Sequence, residues 1–228
     1  MKTRLTRREA IAIMGAAGSA VAFGCGTDSV TSPSSGTSTT TGGSAACAVT
    51  PNETIGPYPS RADIFRSDIR EDRAGTPLTL TLKVANANAS CAPVANANVE
   101  IWHADVAGDY SEYGTQTAAT WLRGVQTTNA NGDVTFTTIY PGWYQGRATH
   151  IHIEVTINGR SVKATQIAFP ESINNTVYAQ GVYARRGSNP TSNASDGIFA
   201  DSLSSELVTP SGSPSSGYTA SYQINVSV

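Results

Sequence analysis

The sequence is poor in charged residues, and it has few cysteines and histidines. Only 14% of its 228 residues are charged, and the formal net charge is -2. No cluster of lysine and arginine follows the N-terminus, so the basic patch of a nucleic-acid-binding protein is missing and we expect no nucleic-acid partner. The chain is long enough for one sizeable domain but, once its ends are discounted, too short for two.

Long hydrophobic runs are also missing. A modest apolar run over residues 10–23 is too short to span a bilayer comfortably, which argues against a permanent transmembrane helix. This apolar run follows a basic N-terminal segment that contains the pair Arg7 and Arg8. It leads to the residues "AFGC", the last of which is Cys25. This pattern indicates a twin-arginine-type lipoprotein signal over residues 1–25, in a protein exported to the bacterial membrane surface, the periplasm or the exterior. The alternative is an ordinary cleaved signal in which Cys25 lies by chance.

Replacing Cys25 with serine tests the lipid anchor, because it removes the thiol that would be acylated. We expect fractionation of cells to find the wild-type protein in membranes and the Cys25→Ser variant in the soluble fraction. An unchanged membrane fraction would show that Cys25 is not the anchor.

Residues 26–45 are rich in Ser, Thr and Gly and cannot bury enough apolar surface to fold, so they are interpreted as a disordered tether. The folded domain is then 46–228. It contains Cys47 and Cys91, which in an exported chain most simply form a disulfide worth on the order of 3 kcal/mol. A thiolate metal site is the weaker alternative, because the close C-x-x-C spacing is missing.

The domain shows no convincing long amphipathic helix, and its apolar residues alternate with polar ones in short runs. Such alternation is typical of half-buried strands. The alternating segments are 78–84, 98–105, 132–139, 150–158, 162–169 and 218–228. We predict an all-β fold, an antiparallel β-sandwich with long active-site loops. Residues 170–197 are too polar and too rich in Gly and Asn for core strands, so we expect loops there, with one helical turn at 172–178.

Histidine occurs three times in the chain, and two of these residues are His150 and His152. Side chains at i and i+2 of a strand point to one face, so the two imidazoles can converge on a metal ion. His103 would complete a three-histidine zinc site of hydrolytic type. Tyr110 and Tyr144 offer another completion, because a hard ferric ion lowers the pKa of a phenol enough to bind it as the anion. The alternatives without a metal are a hydrogen-bonded histidine pair and tyrosines that pack against the sheet edge.

A family resemblance is carried by four blocks: "GPYP", "VEIWHADVAGDYS", "FTTIYPGWYQGRATHIHIEV" and "QIAFPE". In order and spacing they resemble the intradiol ring-cleavage dioxygenases of the catechol, protocatechuate and hydroxyquinol type, over roughly residues 47–203. The resemblance implies a non-haem Fe(III) enzyme that uses O2 to cleave a catechol-type substrate between its two hydroxyl-bearing carbons. The product would be a muconate-type dicarboxylate, and no organic cofactor is implied.

The resemblance also implies roles for individual residues. Arg147 corresponds to the family's active-site arginine, which stabilises charge on the ring. Tyr144 corresponds to a phenolate that is displaced by the substrate and helps to take up a catechol proton. Tyr58 lies in a segment near the substrate pocket of relatives and is predicted to contact the substrate. The implied metal ligands are Tyr110, Tyr144, His150 and His152.

Two further questions are open at the level of sequence. The chain could be an exported module that keeps the family fold but binds a carbohydrate, lignin fragments or an envelope protein without ring cleavage. The intact ligand residues argue against this alternative. A carboxylated substrate would require a cation beyond Arg147, and the candidates are Arg61, Arg123, Arg185 and Arg186.

Overall fold

The computed structural model describes residues 47–228. The predicted signal segment, Cys25 and the tether over 26–45 lie outside the described residues. Within residues 47–228 no helix combines the length and apolar character that crossing a membrane requires. The strands are β1 Pro77–Asn86, β2 Ala92–Pro93, β3 Asn98–Trp102, β4 Arg123–Thr127, β5 Asp133–Ile139, β6 His150–Ile157, β7 Arg160–Ala168, β8 Ser211–Ser213 and β9 Gly217–Val226. The α-helices are α1 Glu171–Tyr178 and α2 Leu203–Glu206.

The strands form two sheets, so the fold is mostly β, as predicted. One sheet has the order β2-β1-β9-β8 with β5 also paired to β1, and the other has the order β4-β3-β6-β7. Leu80 of β1 and Ile153 of β6 are fully buried members of the same hydrophobic cluster. Because strands of both sheets supply apolar side chains to this cluster, the core lies between the sheets.

The prediction of an antiparallel arrangement is wrong for one strand pair. β1 and β9 run parallel, with Leu78 opposite Tyr218. β9 is the last strand and follows β8 through a short hairpin, whereas β1 is the first strand. No tight turn joins β1 to β9, so their relative direction is not restricted to antiparallel. The sequence also did not indicate β2, β4 and β8. β2 and β8 have only two and three residues, too few for an alternating pattern, and the residues of β4, "RGVQT", do not alternate between apolar and polar.

Helix α1 occupies the segment in which a single helical turn was predicted. Pro170 lies at its N-cap position, where the missing N–H of proline costs nothing. The helix buries Asn174, Val177 and Tyr178. Tyr178 reaches the loop before β6, where its hydroxyl lies 2.6 Å from that of Thr149. The helix therefore supports the residues that lead directly into the His-x-His strand.

Residues 47–69, here called the strap, connect the edges of both sheets. At one edge of the four-stranded sheet the Glu53 amide donates to the Ala164 carbonyl of β7 at 2.9 Å. At the other edge the Val125 amide of β4 donates to the Ile64 carbonyl at 2.8 Å. Between these contacts the strap must cross the face of the sheet that points away from the core. It therefore covers both the strand edges, which would otherwise be unpaired, and this outer face.

The strap begins at a disulfide. Cys47 is bonded to Cys91, as the sequence predicted, across a separation of 44 residues. Closing a loop of this length stabilises the folded state by about 4 kcal/mol in the chain-entropy account. The Thr50 amide then donates to the Asn225 carbonyl of β9 at 3.0 Å. The first residues of the strap are thus fixed covalently and by a strand before it reaches the outer face.

Candidate active site

The side chains of strand β6 alternate between the core and the outer face of the sheet. Ile151 and Ile153 are fully buried in the core, whereas His150 and His152 point to the outer face. The histidines are nevertheless only 3% and 1% exposed. The indole of Trp102 on β3 stacks on the His152 ring, with the ring centroids 4.9 Å apart and the planes 1° from parallel. The strap and the neighbouring strand therefore enclose both imidazoles.

Gly56 is the point at which the strap crosses His152. Its φ is +77°, a backbone conformation that favours glycine. A Cβ added to Gly56 would lie 2.8 Å from Cε1 of His152. The strap backbone can approach the imidazole this closely only because the residue has no side chain.

Two loops bring tyrosines to the histidine face. Tyr110 lies in the connection between β3 and β4 and is 5% exposed. Tyr144 lies in the connection between β5 and β6 and is half-buried. The two rings meet edge to face with centroids 5.6 Å apart. Tyr58 of the strap stacks on Tyr110 at 4.7 Å and contacts Tyr144 edge-on at 5.8 Å.

The donor atoms of these side chains converge. Nε2 of His150 lies 3.1 Å from Nε2 of His152 and 3.4 Å from the hydroxyl oxygen of Tyr110. The Tyr144 ring contacts the His150 ring, with centroids 5.7 Å apart. Ligands that hold one ion at about 2 Å place their donor atoms roughly 3 Å apart. The spacing therefore fits a shared metal ion better than a stable hydrogen-bonded pair of histidines.

The protonation states also suit a metal. His150 Nδ1 donates to the Ala148 carbonyl at 2.6 Å, which leaves Nε2 as the nitrogen with a free lone pair. Burial, with the Arg147 cation nearby, lowers the pKa of His150 to about 3, and burial with the neighbouring His150 lowers that of His152 well below its usual range. Burial raises the pKa of Tyr110, so its phenolate requires a strongly charged cation beside it.

His103 does not join this group. Its Nδ1 lies 2.9 Å from the Ala104 carbonyl oxygen, and its Nε2 lies 2.7 Å from the hydroxyl of Thr138. Both ring nitrogens are therefore used inside the fold. In the part of the chain that the structure describes, no three side chains of His, Cys, Asp or Glu form a group that could hold a metal ion. A three-histidine zinc site is thus not assembled, and a metal here would depend on the tyrosines.

Arg147 is held beside Tyr144 by two partners. Its Nε donates to Asp196 Oδ2 at 2.9 Å and its Nη2 donates to Gln166 Oε1 at 2.6 Å. Burial raises the pKa of Tyr144, and Arg147 opposes this shift through its charge and a hydrogen bond. Gln166 also donates to the Thr54 carbonyl of the strap at 2.8 Å. The guanidinium is thus fixed at the site and is not a surface cation.

Asp196 is the buried anion on which this arrangement depends. Its Oδ2 accepts from Arg147 and also, at 2.6 Å, from the Ala148 amide just before His150. We expect Asp196→Asn to lower the free energy of unfolding by about 2 kcal/mol, because charge-assisted hydrogen bonds contribute that much. Denaturant unfolding of this variant beside Asp201→Asn, an exposed aspartate, measures the effect. Equal stability of the two variants would contradict the assigned role of Asp196.

The candidate cations for a carboxylated substrate have different positions. Arg123 is buried, and it bonds the Tyr58 carbonyl at 2.9 Å and the Ser111 carbonyl at 2.7 Å, which ties the strap to the Tyr110 loop. Arg61 lies over the ring of Tyr113 at 4.5 Å. Arg185 and Arg186 line a different cleft from the one beside the tyrosines. The tyrosine cleft, of about 110 Å³, is lined by Tyr58, Gly108, Asp109, Tyr110, Tyr113, Gly114, Thr115 and Gln116.

Three supporting residues had no recognised role in the sequence: Gly56, Gln166 and Asp196. Gly56 lies in the "GPYP" block, where a glycine before a proline signals a turn but not a contact with histidine. Gln166 was a polar residue in a predicted strand. Asp196 lies in a polar loop, 49 residues from the arginine that it holds. The roles of these residues depend on contacts with residues far away in sequence, so no local sequence motif identifies them.

Known proteins share this arrangement of strands. Residues 54–185, more than half of the chain, match the family model described as Dioxygenase. Among solved structures, an intradiol ring-cleavage dioxygenase from Tetranychus urticae is similar with a TM-score of 0.75 and 32% identity. That match covers 79% of this chain and 95% of the other.

Bacterial structures are similar as well. The dioxygenase domain of a dioxygenase carbohydrate-binding protein fusion from Streptomyces sp. SirexAA-E matches at 27% identity and a TM-score of 0.60, over 79% of this chain and 99% of that domain. The 3-chlorocatechol 1,2-dioxygenase from Rhodococcus opacus 1CP shares the fold at 21% identity and a TM-score of 0.57, over 78% and 72% of the two chains. From the matched residues and these likenesses, the chain belongs to the intradiol ring-cleavage dioxygenase family.

Proposed function

We propose that this protein is a non-haem Fe(III)-dependent intradiol dioxygenase. It cleaves a catechol-type aromatic diol with O2 between the two hydroxyl-bearing carbons and yields a muconate-type dicarboxylate. The catalytic domain is a β-sandwich over 46–228. The proposal includes export behind the signal at 1–25 and a lipid anchor at Cys25, which the tether would connect to the domain.

The observation that carries the proposal is the convergence of two phenols and two imidazoles on one point. His150 Nε2 lies within 3.4 Å of both His152 Nε2 and the Tyr110 hydroxyl, and the Tyr144 ring packs against His150. Two neutral nitrogen donors and two phenol oxygens suit a hard, highly charged ion such as Fe(III), since that charge offsets the cost of ionising buried tyrosines. A bound ferric ion would supply the Lewis acidity that acidifies the catechol hydroxyls and makes the ring react with O2.

Tyr144 is suited to proton transfer, because it is the more exposed of the two tyrosines. Tyr110 is 5% exposed, whereas Tyr144 is half-buried at the surface of the site. As the phenolate, Tyr144 can therefore move aside and accept a catechol proton on its oxygen to become the neutral phenol, while Tyr110 stays in place. Arg147 contacts Tyr144 and keeps a fixed positive charge next to it, which stabilises negative charge on the bound ring.

The surrounding aromatic rings orient the substrate and exclude water. Tyr58 stacks on Tyr110, and Tyr113 contacts Tyr58 edge-on at 5.2 Å. Both Tyr58 and Tyr113 line the small cleft beside the site. A planar aromatic diol can stack on such rings, which contribute roughly 1 kcal/mol per contact beyond simple burial. This chemistry favours aromatic diols over aliphatic ones.

The visible spectrum of the iron-loaded full-length protein tests the proposal. We expect a tyrosinate-to-iron absorption band that shifts when catechol is added under air and recovers as muconate appears. Tyr144→Phe keeps the ring but deletes the hydroxyl, so the band should change and turnover should fall by about 100-fold or more. The matched control is Tyr222→Phe, whose hydroxyl donates to the Ser205 carbonyl outside the site.

The outcomes separate the alternatives. A band that shifts with catechol but does not recover means an iron site with a different aromatic diol as substrate, and substituted catechols would be tried next. A folded protein that carries iron but has no such band would overturn the proposal and favour a non-catalytic binding module. Full activity of Tyr144→Phe would remove that residue from the mechanism.

A further inference from the structure

A second cleft lies next to the loop that carries Tyr110, and it shares no lining residue with the tyrosine cleft. Its volume is about 560 Å³, within the range of small-molecule sites. The segment 105–107 forms part of its wall, only a few residues before Tyr110. The remaining lining residues come from the segment before β1 and from the loop after α1: Asp72, Arg73, Ala74, Val182, Arg185 and Arg186.

The lining of this cleft carries more positive than negative charge. Arg73 is paired with both aspartates, at 2.9 Å from Asp72 Oδ2 and 3.5 Å from Asp105 Oδ2. Asp105 also accepts the amides of Ala107 and Asp109, at 2.9 and 3.0 Å. The three arginines against two aspartates leave one net positive charge on the lining. Both aspartates lie against Arg73, and neither forms an ion pair with Arg185 or Arg186 among residues 47–228.

Arg186 is fixed in an orientation that presents it to the cleft. Its guanidinium stacks on the ring of Trp143 at 4.1 Å, and its Nη1 donates to the Ala107 carbonyl. A guanidinium has five N–H donors, so most of them are left for another acceptor. Arg185 is exposed and has no hydrogen-bond or ion-pair partner among residues 47–228. Two adjacent cations thus lack an anion.

The rest of the lining is apolar. Val106, Ala107 and Ala74 carry no charge, and the aliphatic side chain of Val182 is 39% exposed. A ligand that fits must therefore combine an anionic group with an apolar body. A carboxylate matches the planar guanidinium fork in a bidentate manner, and an aromatic or aliphatic body would cover Val182 and the alanines.

We propose that this cleft is a binding site for small carboxylates with an apolar body, separate from the ring-cleavage site. The carboxylate binds Arg185 and Arg186, and the apolar body lies on Val182 and Val106. Because the wall of the cleft leads directly to Tyr110, an occupant contacts the backbone that positions that tyrosine. The inference rests on this cleft alone and does not require the proposed function to hold.

Benzoate is the probe, with benzamide as its neutral counterpart of the same shape. Ligand-observed NMR titration of the metal-free full-length protein avoids any carboxylate binding to iron. We expect benzoate to bind with a Kd of about 1 mM, in line with its few heavy atoms, and benzamide to bind at least about tenfold more weakly, because the charge-assisted contacts are lost.

Two variants locate the site. Arg185→Glu should weaken benzoate binding by at least about tenfold, whereas Arg160→Glu, an equal charge change on an exposed arginine at the start of β7, should not. Val182→Asp should also weaken benzoate binding. Its matched control is Val49→Asp, because Val49 is an exposed valine outside the cleft. No benzoate binding to the wild-type protein, equal binding of benzamide, or equal losses in the variants and their controls would each overturn the proposal. None of these results depends on turnover.

Discussion

Replacing Gly56 with alanine should strongly weaken ferric-iron binding while the domain stays folded. The new methyl group would lie 2.8 Å from Cε1 of His152, and that ring is also held by the stacked Trp102 indole. Either the imidazole or the strap must move, and both carry parts of the site. We expect iron affinity, measured by spectroscopic titration, to fall by about 100-fold, as for other changes that disturb the orientation of a metal ligand.

Gly159→Ala is the matched control for this variant. Gly159 has φ +73°, close to the +77° of Gly56, but a Cβ there would meet nothing within 4 Å. Both variants carry the cost of an alanine in the left-handed region, roughly 1–2 kcal/mol, so thermal unfolding should show similar losses of stability. Only Gly56→Ala should bind iron more weakly. If the two variants bind iron equally well, the contact between the strap and His152 does not position the ligand.

The strand that carries the histidines could be predicted from sequence because its information is local. Alternation of Ile151 and Ile153 with His150 and His152 fixes which side chains share a face, and β6 has that arrangement. The same argument found β1, β5, β7 and β9. The alternating pattern does not show which strands lie next to each other. The parallel pairing of β1 with β9 was therefore not predicted.

The support of the site depends on contacts between distant residues. Gln166 is joined to the strap across 112 residues, and Asp196 to Arg147 across 49. Neither has a neighbour in sequence that marks its role. Resemblance to a family supplied the tyrosines and Arg147, which short motifs carry, but Gly56 is explained only by the geometry of the strap. The residues that orient the ligands were therefore harder to predict than the ligands.

The loops that carry Tyr110 and Tyr144 meet at Gly142. The Gly142 amide donates to the Ala104 carbonyl at 3.2 Å. A Cβ added to Gly142 would overlap the carbonyl oxygen of Asp105 and lie 2.8 Å from its carbonyl carbon. Backbone atoms cannot rotate away as a flexible side chain can, so the loops would have to separate.

Gly142→Ala should therefore damage both the fold and the site. We expect the free energy of unfolding, from denaturant titration, to fall by about 3 kcal/mol, the upper part of the range for overpacked positions. The tyrosinate-to-iron band should change even below the unfolding transition, as in Tyr144→Phe, because Tyr144 can no longer reach the histidines that Tyr110 contacts. Gly197→Ala is the matched change, since a Cβ there meets nothing within 4 Å. A Gly142→Ala protein as stable as this control, with an unchanged band, would mean that the two loops do not set each other's position.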